Sequence, residues 1–360
     1  MRRNLLAALG LVVLAGLACL AYLQSGKPRL VARAQGRVTA LAGDPGLGLA
    51  WIEAAPSGDR LMLARRWRTP RLLLASRGLT ALALAEGRAY VAQRESAGGG
   101  HLLRLLPHIR KPDTLATLKG EVPQMVAGDG QIAWLEERPA ALPAVPFVAA
   151  AGPVTVIRSV PQQSGAISIV EVLPAESAPT PRSSAAEGRV RLLGIAGQRV
   201  YWLEHRHKLL DTETCLISCP AAGGPATLVA SEPGFQQALL LRDALVWTAY
   251  SQEASPSESH RSIKRQPLTG GAPQVIADWL AKDAVPIGDA DRVYTQDPEL
   301  LWRLEARRGE QRVLYSRAYG AFSAHAIGDD EYLVIGERKS WSITERPLTY
   351  WARLRHLLSG

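Results

Sequence analysis

Three glutamates, Glu53, Glu136 and Glu204, each stand two residues beyond a tryptophan, at Trp51, Trp134 and Trp202. Cations or imidazoles follow closely: Arg138 after Glu136, and His205, Arg206 and His207 after Glu204, with Arg94 and Arg338 in comparable places elsewhere. Such groups can bind a charged ligand, form surface ion pairs, or, as two carboxylates across a pocket, cleave a glycosidic bond by acid–base chemistry. His205 and His207 point the same way from an extended strand, a spacing that metal sites use. No Cys, Asp or third His at suitable local spacing completes a ligand set, so neither a metal nor a cofactor is expected. The chain lacks a Gly-x-Ser-x-Gly elbow, a His-Glu-x-x-His helix, a phosphate loop and a dinucleotide fingerprint, and no residue is assigned a catalytic role.

What must position these residues is a repeat. Its fullest copy runs from Gly197 to Glu204, a turn followed by Arg-Val-Tyr-Trp-Leu-Glu. Related copies lead from Gly43-Asp44 to Trp51, Glu86-Gly87 to Tyr90, Gly128-Asp129 to Trp134, Arg242-Asp243 to Trp247, Asp289 to Tyr294 and Asp329-Asp330 to Tyr332. With these aromatics taken as equivalent, the spacings are roughly 38 to 47 residues, with one gap near 68 between Trp134 and Trp202, the period of propeller blades. The position two beyond the aromatic then reads Glu53, Ala92, Glu136, Glu204, Ala249, Gln296 and Val334, a ring of equivalent sites at one height.

Inside a copy the runs are short and β-like. Val190–Ile195 precedes a turn, Val200–Glu204 follows it, and Thr214–Cys219 and Thr227–Ala230 flank Gly223-Gly224. Strands of this length between Gly, Pro and Asp turns predict four-stranded antiparallel blades. The expected fold is all-β, a single propeller of about seven blades, or six beside one irregular neighbour. The last copy has room for about three strands, so the run from Leu30 to Ala34 is expected to supply its fourth and close the ring. Cys215 and Cys219 lie roughly 13 Å apart on an extended strand, beyond disulfide reach unless the strand bends.

Composition fits a globular chain: 360 residues, 47% hydrophobic, 21% charged, net charge +9. The arginines are scattered, as at Arg65-Arg66 and Arg307-Arg308. Nucleic-acid binders concentrate such charge on one element, so no nucleic-acid role is expected, and a surface resting near anionic lipid suits the balance better.

The N-terminus predicts a membrane anchor. Residues 1–4 carry Arg2 and Arg3, and 5–23 are an uninterrupted apolar stretch of about nineteen residues, long enough to cross a bilayer. Cleavage near Ala21 and lipidation of Cys19 are rival readings of the same stretch. A linker at 24–29, the propeller at 30–348 with an Ala/Ser/Pro-rich loop at 174–187, and a tail at 349–360 that suits a short helix complete the expected organisation. The propeller is expected on the extracytoplasmic side of a single-pass cell-membrane protein.

The repeat resembles the extracytoplasmic β-propellers of bacteria with Tyr-Trp or Trp-Leu-Glu motifs, the TolB-like and YWTD-like group, over about Leu30 to Pro347. Tyr201-Trp202-Leu203-Glu204 is the nearest match to the YWTD motif, and most other copies depart from it. The resemblance implies a binding scaffold. The expected partner is a protein or a cell-envelope polymer, held by Glu53, Glu136, Glu204, Arg138, His205, Arg206, His207 and Arg338. A hydrolase or lyase acting on glycan or peptide, and a structural subunit of an envelope complex, are the alternatives.

Overall fold

In the computed structural model the chain is built entirely of strands over the described residues, which run from 29 to 347 except for 35, 45, 66–68, 97, 108–110, 139–153, 164, 174–189, 208–211, 233–234, 236, 251–259, 281–284, 290–291, 297–300, 306–309, 316–320, 328–329 and 338–339. Side chains are described within 34–278, those of Arg138, Val154, His207 and Thr212 excepted. The apolar stretch at 5–23, the linker up to residue 28, the loop at 174–187, Arg338 and the tail from 348 onward lie outside the described residues. Among the described residues no helix is long and apolar enough to cross a membrane.

The first strand, β1 (Arg29–Ala34), belongs to the last sheet. Blade one is β2 (Arg37–Asp44), β3 (Gly48–Ala55), β4 (Gly58–Ala64) and β5 (Arg71–Ser76). Blade two is β6 (Leu79–Ala85), β7 (Arg88–Arg94), β8 (Gly100–Leu105) and β9 (Asp113–Leu118). Blade three is β10 (Met125–Gly128), β11 (Gln131–Arg138), β12 (Val154–Pro161) and β13 (Ser168–Leu173). Blade four follows with β14 (Val190–Ala196), β15 (Arg199–His207), β16 (Thr212–Pro220) and β17 (Thr227–Ala230). Blade five holds β18 (Ala238–Leu240), β19 (Ala244–Tyr250), β20 (Arg261–Pro267) and β21 (Gln274–Leu280). Blade six holds β22 (Val285–Asp289), β23 (Arg292–Gln296), β24 (Leu301–Glu305) and β25 (Glu310–Tyr315). Blade seven is β26 (Ala321–Ile327), β27 (Asp330–Glu337), β28 (Ser340–Pro347) and, outermost, β1.

The described residues thus form seven antiparallel four-stranded sheets. The first strands of successive blades contact one another, and β2 meets β26 to complete the circle. Closure is made by β1 lying antiparallel on β28, with Arg29 opposite Glu345 and Ala34 opposite Trp341. The wide Trp134-to-Trp202 spacing comes from two long connections, 139–153 and 174–189, on either side of β12 and β13.

Strand parity divides the aromatic anchors into two sets. Trp51, Trp134, Trp202 and Trp247 are the fourth residues of their strands, whereas Tyr90, Tyr294 and Tyr332 are the third, as is Tyr201. Neighbouring strand residues point to opposite faces of the sheet. Trp134 accordingly packs with Ala83 and Leu102 of the preceding blade, and Trp202 with Leu135 and Ile157 of the preceding blade. Tyr90 packs toward blade three, and Tyr201 toward Trp247 of blade five. The single equivalence drawn from the sequence is therefore corrected: among the described side chains of blades two to five, the tryptophans face the preceding blade and the tyrosines the following one. Trp51, Trp134 and Trp202 are fully buried, and large aromatic area of this kind dominates core energetics.

The turns between first and second strands are tight, and three of them hold a non-glycine residue in the left-handed region: Glu86 at φ 51°, Asp129 at φ 46° and Gln198 at φ 58°. Each is paired with a glycine also at positive φ, Gly87, Gly130 and Gly197. This is the conformation that fits a two-residue hairpin turn to the strand twist. Gln198 gains compensation, donating from Nε2 to the Asp129 carbonyl at 2.7 Å and so joining adjacent blades. Glu86 is exposed. Replacing it by glycine relieves about 1 kcal/mol of backbone strain, and the expected outcome is a Tm raised by about 1–2 °C in calorimetry.

Candidate functional site

The sixth residue of the second strand is Glu53 in blade one, Gln93 in blade two, Glu136 in blade three and Glu204 in blade four. Parity puts Ala92 on the other side of its sheet, where it joins Tyr90 in the core, so Gln93 and not Ala92 shares the glutamates' position. The sequence reading missed Gln93 because it counted from Tyr90 as though from a tryptophan. Gln93 donates to Ser76 Oγ of blade one at 2.6 Å, across the same interface that the tryptophans fill.

The three glutamates are 1–4% exposed. Trp51 Nε1 donates to Glu53 Oε1 at 2.8 Å, and Trp134 Nε1 donates to Glu136 Oε2 at 3.4 Å. A cation pairs with each carboxylate: Arg60 with Oε2 of Glu53, the oxygen the indole leaves free, Arg158 at 3.2 Å from Oε2 of Glu136, the oxygen the indole also meets, and Arg206 at 3.3 Å from Glu204. Blade five reaches the same arrangement by another route. Its sixth position is Ala249, and Glu232, from the segment ahead of β18, accepts from Trp247 Nε1 and pairs with Lys264. Arg158 and Lys264 both lie opposite the tryptophan on the third strand, with Arg158 facing Trp134 and Lys264 facing Trp247. A buried carboxylate is tolerable only when paired and hydrogen-bonded, and an indole N–H needs an acceptor when buried; the motif meets both needs at once. Trp202 Nε1 is the exception, having no acceptor among the described residues, and Glu204 engages Arg206 instead.

At the exit of the second strand the chemistry becomes accessible. Arg206 is about half exposed, at 49%, and its hydrogen bond to Glu204 raises its already high pKa, fixing the positive charge. His205 is half-buried, its Nδ1 2.9 Å from Thr214 Oγ1. The backbone of His207 continues β15. Arg94 pairs with Glu121 at 3.0 Å, with both side chains half exposed, a pair of small energetic weight. Among the described residues no group of three or more His, Cys, Asp and Glu is placed to hold a metal ion. Cys215 and Cys219 are buried free thiols on β16, and burial pushes the Cys219 thiol up, leaving it unreactive at neutral pH.

A cavity of about 630 Å³ occupies the axis, walled by the first strands of blades one to five. Its waist is apolar, with Leu41, Leu82, Val126 and Leu239, while Asp129 and Arg242 stand at the turn end. Arg191 stands toward the opposite end and donates to Gln237 of the next blade.

These features define a β-propeller. The comparisons with known proteins agree on the fold: an oligogalacturonate lyase from Vibrio parahaemolyticus superposes with a TM-score of 0.63 at 9% identity, covering 91% of this chain and 92% of that one. A second oligogalacturonate lyase, in complex with manganese, gives 0.56 at 12% identity over 89% and 100% of the two chains. The β-propeller domain of the Trilobed protease from Pyrococcus furiosus gives 0.58 at 9% identity over 89% and 96%. At such identities the likeness is one of fold alone. No protein-family model matches the chain, and no curated protein matches it.

The clamp in blade three is testable by comparing two substitutions. Glu136→Ala strands the Arg158 charge and the Trp134 N–H inside the interface and is expected to cost about 3–5 kcal/mol in chemical denaturation. Glu136→Gln keeps an acceptor for the indole but not the charge opposite Arg158, and is expected to cost less than Glu136→Ala by about 1 kcal/mol.

Proposed function

We propose that this chain is a membrane-anchored extracytoplasmic β-propeller that binds a protein or cell-envelope polymer on the face where its second strands end. The observation that carries this reading is the inequality of the two faces. At one end of the blades the first and second strands are joined by tight turns, as between Ala85 and Arg88, Gly128 and Gln131, and Ala196 and Arg199. At the other end the connections are long: Arg138 to Val154, Tyr250 to Arg261 and, between blades, Leu173 to Val190. Variable connections on a rigid scaffold are where binding residues are usually carried.

The glutamates take part indirectly. Glu204 holds Arg206 at the rim of that face, and Glu53 holds Arg60, so buried acids set the direction of partly exposed cations. Arg206 and His205 give that face a basic and imidazole-bearing rim suited to an anionic partner, and the backbones of Arg138 and His207 end their strands at the same face. The apolar stretch at 5–23 supports the membrane assignment.

Affinity capture of the full chain from its native membrane tests this. A partner retained by the parent and lost at least tenfold in an Arg206→Glu/His205→Ala variant is expected. A Gln198→Ala variant, altered on the opposite face, is expected to retain it. Equal retention by both variants removes the assignment of the face. Absence of any partner, together with cleavage of a glycan or peptide by the purified chain, replaces the scaffold with a hydrolase or lyase.

A further inference from the structure

We propose that the tight-turn end of the propeller rests on the bilayer and contacts anionic phospholipid headgroups, which turns the long-connection face away from the membrane. The inference rests on the anchored reading above and adds the orientation and the lipid contact.

Strand pairing locates both chain ends. Arg29, the first residue of β1, pairs with Glu345. Pro347, the last residue of β28, pairs with Asp330, which opens β27 directly after the turn from β26. Both flanks of the ring therefore leave from the end of blade seven that carries its first-to-second turn. The corresponding turns of neighbouring blades lie beside one another, since Gln198 bonds Asp129 and a Cβ built on Gly46 would meet Gly87 at 3.8 Å. All of these belong to one face of the disc.

The flanking sequences are the ones suited to a membrane. Ahead of Arg29 stand the apolar residues 5–23, and beyond Pro347 come Tyr350, Trp351, Leu354, Leu357 and Leu358 interleaved with Arg353, Arg355 and His356. Apolar and basic residues mixed in this way suit the bilayer interface. Chain length then restricts the geometry. Only residues 24–28 separate the apolar stretch from β1, and five residues span at most about 18 Å. A six-residue strand is itself about 20 Å long, so this linker is too short for the opposite face to reach the bilayer.

The same face offers cations in blade one, which adjoins blade seven, and in blade two beyond it. Arg71 opens β5 and Lys111 precedes β9; both are exposed, and Arg71 donates to the Pro107 carbonyl at 2.8 Å, fastening it at the rim. Arg65 and Arg88 stand half-buried at the same end. Juxtamembrane Lys and Arg at this distance are drawn to phosphatidylglycerol or phosphatidylserine headgroups.

The test uses the full chain in nanodiscs of phosphatidylcholine, with or without phosphatidylglycerol, with a headgroup-attached quencher. A fluorophore is placed at exposed Thr69 on the tight-turn face or at exposed Ser96 on the other. Quenching several-fold stronger at Thr69 than at Ser96 is expected, deepening with phosphatidylglycerol, and Arg71→Glu/Lys111→Glu is expected to lower the preference for anionic discs about tenfold. Equal or stronger quenching at Ser96 overturns the orientation, and an undiminished anionic preference in the double variant overturns the headgroup contact. Carbonate extraction of native membranes separates the premises: a released chain defeats the anchor and this inference together, whereas a retained chain with equal quenching defeats the inference alone.

Discussion

Everything in this ring depends on how one blade covers the next. A four-stranded sheet has two faces and no means of burying both by itself, so the blades are stable only as neighbours. The tryptophan at the fourth position of the second strand fills the gap toward the preceding blade, and in blades one and three a glutamate two residues on takes up the indole hydrogen. A cation from the third strand then balances the buried charge. Burying an ion pair is a costly way to build an interface, and apolar residues of equal volume often do as well. What the arrangement supplies is direction: an indole and a carboxylate bonded to each other hold a fixed attitude, so a repeated blade angle is built from repeated chemistry.

Much of the architecture was legible in the sequence, for identifiable reasons. Glycine and acidic turns mark the hairpins because positive φ leaves few residue choices, and the β1 closure followed from a last copy one strand short. Parity was the feature that escaped. Tyr90 and Trp134 look interchangeable along the chain but stand at the third and fourth positions of their strands, so Tyr90 faces the following blade and Trp134 the preceding one. The burial of Glu53, Glu136 and Glu204 was equally hidden, since an acid followed by arginines reads as solvated surface until its partners are placed. Nothing local announces that Glu232 and Lys264, 32 residues apart, replace the pair in blade five.

The functional reading draws on a division of labour between the ends of the disc. Hairpins closed by Gly87, Gly130 and Gly197 leave little room for variation at one end, because each needs a left-handed backbone. The other end is free to lengthen, and the chain uses it in blades three to five. Between them lies the axial cavity, apolar at its waist and polar at Asp129, Arg242 and Arg191.

Closure through β1 also has a bearing on how the chain is made. Its first strand pairs with a segment more than 300 residues away, so during vectorial synthesis that strand emerges earliest and finds its neighbour last. Until β28 arrives, six blades assemble on local hairpin contacts while an open edge persists at each end of the arc. Tethering residues at the start of the chain would keep the waiting strand close to the point where the final blade is delivered. The pairing of β1 with β28 is thus the contact of largest sequence separation in the ring, available only once the last blade has been made.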